Sequence, residues 1–115
     1  MDGDIELTVA ALEACGYRCH IREKAGTRWV TAAKGLQVQF VHWHPLTNIN
    51  QAMQLLIDCP TRLALDIDAQ DVYCTTAEES KVLAVDHACS QDATYLIAAQ
   101  CRAIVNACAA LKAVR

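Results

Sequence analysis

Apolar side chains recur at Ile5, Val9 and Leu12, with Ala11 and Cys15 alongside. That spacing predicts a helix over residues 4–15, and Gly16 supplies its C-terminal stop. Residues 17–22 then alternate, with Tyr17, Cys19 and Ile21 on one side and Arg18, His20 and Arg22 on the other, the pattern of a half-buried strand. Lys24-Ala25-Gly26-Thr27 reads as a hairpin turn into a second strand over residues 28–33. Lys34-Gly35 reads as a further turn into a third strand at Leu36-Gln37-Val38-Gln39-Phe40.

Pro45 closes this segment, and Thr47 or Asn48 can cap a second helix, with Gln51 three residues after Asn48 in a capping-box pattern. The helix is expected to present Ile49, Ala52, Met53 and Leu56 and to run to about Cys59, where Pro60 stops it. Leu63, Leu65 and Ile67 alternate with Ala64, Asp66 and Asp68, and residues 72–76 and 81–86 are two further short strand candidates. Ser90 or Asp92 can cap a long third helix over about 92–113, in which Ile97, Cys101, Ile104, Cys108 and Leu111 recur at steps of four and three. The same helix is rich in alanine, which lets a backbone approach a sheet, another helix or a second subunit closely. The order α-βββ-α-ββ(β)-α with short connections predicts a single α+β domain over residues 1–115, a mostly antiparallel sheet covered by helices.

Composition narrows the class. The 115 residues are 54% hydrophobic and 20% charged, enough to bury one modest core and inconsistent with a disordered chain. A formal net charge of -3 provides no overall cationic field to gather a polyanion. The stretch Met1-Asp2-Gly3-Asp4-Ile5-Glu6 lacks the basic and apolar regions of a secretory signal, and no apolar run is long enough for a membrane span. A cytoplasmic location without membrane association is therefore expected. Seven cysteines, odd in number and without a CxxC pair, are expected to be reduced and mostly packed as small hydrophobes.

Chemistry-bearing motifs are sparse. His42-Trp43-His44 would point two imidazoles to one side of a strand and could begin a Zn²⁺ site with Cys19, His20, Cys59 or His87. The alternative is that His42 ends an inward row of Leu36, Val38 and Phe40. A thiol enzyme would pair a cysteine, Cys19 or Cys89 among them, with His20 or His87 and an acid such as Asp86. Yet the chain has no nucleophile elbow, no glycine-rich phosphate loop and no HExxH. Asp66 and Asp68 share a strand face and could hold Mg²⁺, although alternation also fits a solvated outer face. No cofactor, resident metal or catalytic residue is expected.

Charge is unevenly placed. Arg18, Arg22, Lys24, Arg28 and Lys34 crowd the first hairpin beside Trp29, whereas acids including Asp66, Asp68 and Asp71 gather between Asp58 and Asp92. Arg18, Arg22, Arg28 and Trp29 could meet an acidic protein surface, a nucleotide or a nucleic-acid backbone, or form an ordinary polar outer face of an amphipathic sheet, and the three aspartates could face a basic nucleic-acid channel. The α-β-β-β-α order of residues 4–59 parallels the double-stranded-RNA-binding domain, but residues 47–54 contain no Lys or Arg to bridge phosphates. Direct nucleic-acid binding is not expected.

The helix ending at Gly16, the strand pair, the His44-Pro45-Leu46-Thr47-Asn48 entry to a short helix with Ala52, and the closing Cys101-Arg102-Ala103 segment together resemble the phage ABA-sandwich family. The aromatic residue customary in that family's middle helix is absent, with Met53 and Leu55 near its place. The resemblance implies a small phage or prophage protein with an antiparallel sheet between helical layers and no established catalytic residues. It leads to the expectation of a non-enzymatic accessory protein that binds a host protein or ribonucleoprotein complex, such as one of CRISPR interference, and blocks it. The alternatives are a homodimeric small-ligand (nucleotide) binding module, with a pocket lined by Trp29, Trp43 or Tyr95, and a thiol- or metal-dependent enzyme.

Overall fold

The computed structural model describes residues 2–59, 62–68, 71–76, 82–87 and 93–114. Pro60, Lys81, Cys89, Ser90 and Asp92, assigned above to helix ends, a strand start and a catalytic thiol, lie outside these residues, as do the side chains of Asp68 and His87. Helix α1 (Asp2–Ala14) ends where Gly16 takes φ 91°, a left-handed conformation open to glycine at no steric cost. Strands β1 (Tyr17–Lys24) and β2 (Thr27–Lys34) form the expected hairpin, with Tyr17 paired to Lys34 and Lys24 to Thr27.

The third strand departs from expectation. It is not Leu36-Gln37-Val38-Gln39-Phe40 but β3 (Val41–Trp43), whose Val41, His42 and Trp43 pair with Ala32, Thr31 and Val30. Leu36 and Val38 are 99% and 91% exposed, so their alternation is not used in a sheet and they form no inward row. The Arg18 guanidinium explains the detour. It donates to the carbonyls of Gly35 and Gln37 and lies 5.4 Å from the Phe40 ring centroid, while Phe40 packs on His20 with centroids 4.5 Å apart. Local alternation carries no information about which strand will accept the pairing, and here side-chain anchors draw the segment into a loop.

Helix α2 (Ile49–Asp58) starts as expected, with Asn48 Oδ1 accepting from the Gln51 N–H at 3.2 Å. Gln51 does not close a reciprocal box. Its side chain accepts from the His44 N–H at 2.7 Å and donates to the His42 carbonyl at 2.9 Å, fastening β3 to the helix. The buried face is also rotated from the expected one: Ala52 and Leu55 are fully buried, Ile49 and Leu56 partly so, and Met53 is exposed.

Strands β4 (Leu63–Asp68), β5 (Asp71–Thr76) and β6 (Val82–His87) form a second antiparallel sheet, followed by α3 (Ala93–Val114). The fold is α+β, and its six described strands divide into two three-stranded sheets, β1-β2-β3 and β4-β5-β6. Helix α3 joins the two halves. Cys101, Ile104, Val105 and Cys108 pack with Leu12, Val30 and Leu55 in the core shared by α1, α2 and the first sheet. Ala99, Ala103 and Ala107, spaced by four, bury against Val72 and Cys74 of the second. Alanine there permits close helix–sheet approach, as the flanking-helix expectation requires. Ile97, expected in the apolar stripe, is exposed. Arg102 ties this face down by donating to Asp86 Oδ2 from Nε at 2.8 Å and pairing through a terminal nitrogen at 2.7 Å. Among the described residues, no helix is long and apolar enough to cross a membrane.

Candidate binding surface

The first hairpin leaves the body of the molecule. From Ile21 through Arg28 every residue is exposed, on both sides of the two strands, whereas Val30, Ala32 and Ala33 nearer the base are buried. The projecting half carries Arg22, Lys24 and Arg28 against Glu23. Its tip is a two-residue turn, Ala25-Gly26, with φ of 53° and 80°. Left-handed backbone at an alanine costs about 1–2 kcal/mol, so the turn is tight despite an unfavourable residue.

Trp29 stands directly across from Arg22 in register. At the root of the arm, a cleft of about 180 Å³ is bounded by Asp4, Ile5 and Thr8 of α1, by Arg28, Trp29 and Val30 of β2, and by residues from His42 to Thr47 including Trp43 and His44. The His42 and His44 rings lie 4.8 Å apart between centroids, although β3 ends at Trp43 and His44 stands just beyond the strand rather than on it. Among the described residues, no third ligating side chain gathers with them. Cys19 and Cys59 do not complete a zinc site there, and His20 packs at a tilt against Phe40 instead.

The other sequence-derived candidates have distinct settings. Arg18 holds the loop over residues 35–40. Asp66 is exposed and accepts from the Ile67 N–H at 3.0 Å. Asp71 is half-buried, receives the Tyr73 hydroxyl at 3.5 Å, and is paired in register with Asp68 across β4 and β5. The basic and acidic groups thus belong to different sheets. Tyr95, proposed as a pocket residue, is exposed on α3 and does not line the cleft with Trp29 and Trp43. Asp86 is engaged by Arg102.

Sequence reasoning missed one constellation. Cys15 follows the end of α1, Cys59 caps the end of α2 and Cys108 lies within α3, and their three sulfurs fall within 4.8 Å of one another in the core. The Cys15 thiol also donates to the Leu55 carbonyl at 3.5 Å. Contact with Cys108 favours the Cys15 thiolate, but contact with Cys59, burial and the nearby Asp58 charge outweigh it, pushing Cys15 up to about 12. Contacts with Cys15 and Cys59, together with burial, hold Cys108 far above the ordinary thiol range. The three positions share no local spacing, so only the packing of three helices reveals them. Comparison with known protein families, with curated proteins and with solved structures yields no match.

Proposed function

We propose that the protein is a non-enzymatic binding protein whose projecting hairpin engages an acidic surface on a macromolecular partner. The observation that carries this reading is the exposed arm over residues 21–28, with three cations against one acid and Trp29 at its root. Such an arm offers charge complementarity for encounter and an aromatic anchor for the bound state. The resemblance to the phage ABA-sandwich family makes a cytoplasmic host defence complex, CRISPR interference included, the first partner to try. Inhibition would follow from steric occlusion.

The cleft beside Trp29 and Trp43 favours a second reading, a small-ligand module. At about 180 Å³ it falls below the roughly 300–1,000 Å³ of usual ligand pockets, which disfavours a nucleotide and leaves the arm as the stronger candidate. The test is affinity capture from bacterial lysate, with and without nuclease, using the wild-type chain, an Arg22→Glu/Lys24→Glu/Arg28→Glu variant and an Asp66→Lys/Asp71→Lys variant. Nuclease-resistant capture of one complex that falls at least tenfold on reversal of the arm supports the reading. Capture that is indifferent to the arm charges rejects it, and dependence on Asp66 and Asp71 would transfer the role to the acidic sheet.

A further inference from the structure

Three thiols from three different helical segments meet in an apolar interior, and this carries an inference independent of the binding arm. Cys15, Cys59 and Cys108 are 3%, 8% and 0% exposed, and Leu12, Leu55 and Ile104 belong to the same core. A single buried cysteine is an ordinary small hydrophobe, but three sulfurs mutually within 4.8 Å form a ligand set. With ligand bonds near 2.3 Å, as for zinc, a three-sulfur site draws its sulfurs to about 4 Å apart when planar and closer when pyramidal, as around a trivalent metalloid, so the three sulfurs, which lie within 4.8 Å of one another, close in on the bound ion.

Charge selects among thiophilic ions. Three thiolates with Cu⁺ leave a net charge of -2, and with Zn²⁺ a net charge of -1, which an apolar site resists. Zinc also seeks a fourth ligand, and among the described residues the cluster has three. The carboxylate beside it in sequence, Asp58, already serves Tyr17, Gln54 and Lys34. A trivalent ion makes a neutral three-coordinate complex. We propose that Cys15, Cys59 and Cys108 form a buried tris-thiolate site for a trivalent thiophilic metalloid, with arsenite as its ligand.

The binding step is As(OH)₃ + 3 Cys–SH → As(S–Cys)₃ + 3 H₂O. Three As–O bonds break and three As–S bonds form, each thiol proton leaves in water, and no atom changes oxidation state. A surface cleft of about 360 Å³, lined in part by Leu56, Cys59 and Leu63, brings solvent to the edge of the cluster.

The experiment titrates the reduced full-length chain with arsenite and reads native mass, the number of reactive thiols and arsenic-edge X-ray absorption. One arsenic per chain, loss of three thiols and a first shell of three sulfurs without oxygen are expected, together with a rise in Tm, because the ligand favours the folded chain. Cys15→Ala, Cys59→Ala and Cys108→Ala should each weaken binding at least tenfold, whereas Cys74→Ala, in the other core cluster, should leave it unchanged. Absorption and Tm on the wild-type chain keep the test decisive even where a variant fails to fold. An arsenic held by two sulfurs and an oxygen, a fall in Tm on binding, retention in Cys108→Ala, or displacement of arsenite by stoichiometric Zn²⁺ or Cu⁺ at the same sulfurs would each overturn the assignment.

Discussion

Asp58 ends α2, where a carboxylate faces the negative end of the helix dipole, a placement that costs about 0.3–1 kcal/mol. Its neighbours compensate. The Tyr17 hydroxyl donates to Oδ2 at 2.5 Å, Gln54 donates to Oδ1 at 3.0 Å, and Lys34 Nζ lies 3.3 Å away. A hydrogen bond to a charged group contributes about 1.5–3 kcal/mol. The Lys34 pair contributes about 0–1 kcal/mol, since that side chain is 42% exposed. Counting the part-buried Tyr17 bond at that figure, discounting the solvent-exposed Gln54 contact, and setting the dipole term against the Lys34 pair, Asp58→Ala should cost about 1.5–3 kcal/mol. At roughly 4–5 °C per kcal/mol for a chain of this size, Tm should fall by about 6–15 °C. Asp58→Asn, which keeps an acceptor for Tyr17, should cost about half as much, and the Tyr17→Phe/Asp58→Ala cycle should show a coupling of about 1–2 kcal/mol.

Acid dependence gives the same contact a second readout. Burial pushes the Asp58 pKa up, but the hydrogen bonds from Tyr17, Gln54 and Lys34 and the Lys34 charge outweigh it, holding the carboxyl below its ordinary 3.8. The native carboxyl therefore binds its proton less tightly than the unfolded one. Its contribution is fully present above about pH 4 and is lost as pH falls through the native value. Urea denaturation of the wild-type and Asp58→Ala chains should show the gap between them shrinking between pH 5 and pH 3. A change below about 0.5 kcal/mol for Asp58→Ala, or a gap that persists on acidification, would refute this account of the α2–sheet junction.

Arg18→Ala should release the loop over residues 35–40, raising amide exchange and proteolysis at residues 36–39 with only about 0.5–1 kcal/mol lost from the exposed cation–π contact; unchanged exchange would mean that Phe40 alone holds the loop. Leu55→Ala should cost about 2–5 kcal/mol and Met53→Ala less than about 1, a contrast between a buried and an exposed face of α2 that denaturant titration can check. Burial, with a smaller contribution from Cys59, pushes Cys74 up to about 11. Because that native thiol keeps its proton above the unfolded value of 9.0, its contribution is complete below pH 9 and lost as pH rises towards 11. Cys74→Ala should flatten the alkaline arm of the stability profile in that window.

Much of the secondary structure is legible because it rests on short-range signals. The stop at Gly16 and the Asn48 cap are each satisfied within a few residues and appear as expected, whereas β1 alternates only at its base, with Tyr17 and Cys19 half-buried and Ile21 46% exposed, because its outer half leaves the body of the molecule. The same locality explains the failures. Leu36, Val38 and Phe40 alternate as well as any strand, but Arg18 on β1 decides that they cross the sheet as a loop. Met53 fits a helical stripe as well as Leu55 does, and only the position of α3 chooses between them.

By itself the sequence determined the α+β class, the element order and a hairpin rich in cations, because periodicity, turn residues and charge are properties of neighbouring positions. Tertiary structure alone decided that the strands split into two sheets, that α3 packs on α1 and α2 with one face and on the second sheet with the other, and that Arg22 to Arg28 project beyond the core. It also decided the convergence of Cys15, Cys59 and Cys108. These are distant along the chain, and the physical reason for their meeting is the mutual burial of three helices, which no local pattern encodes.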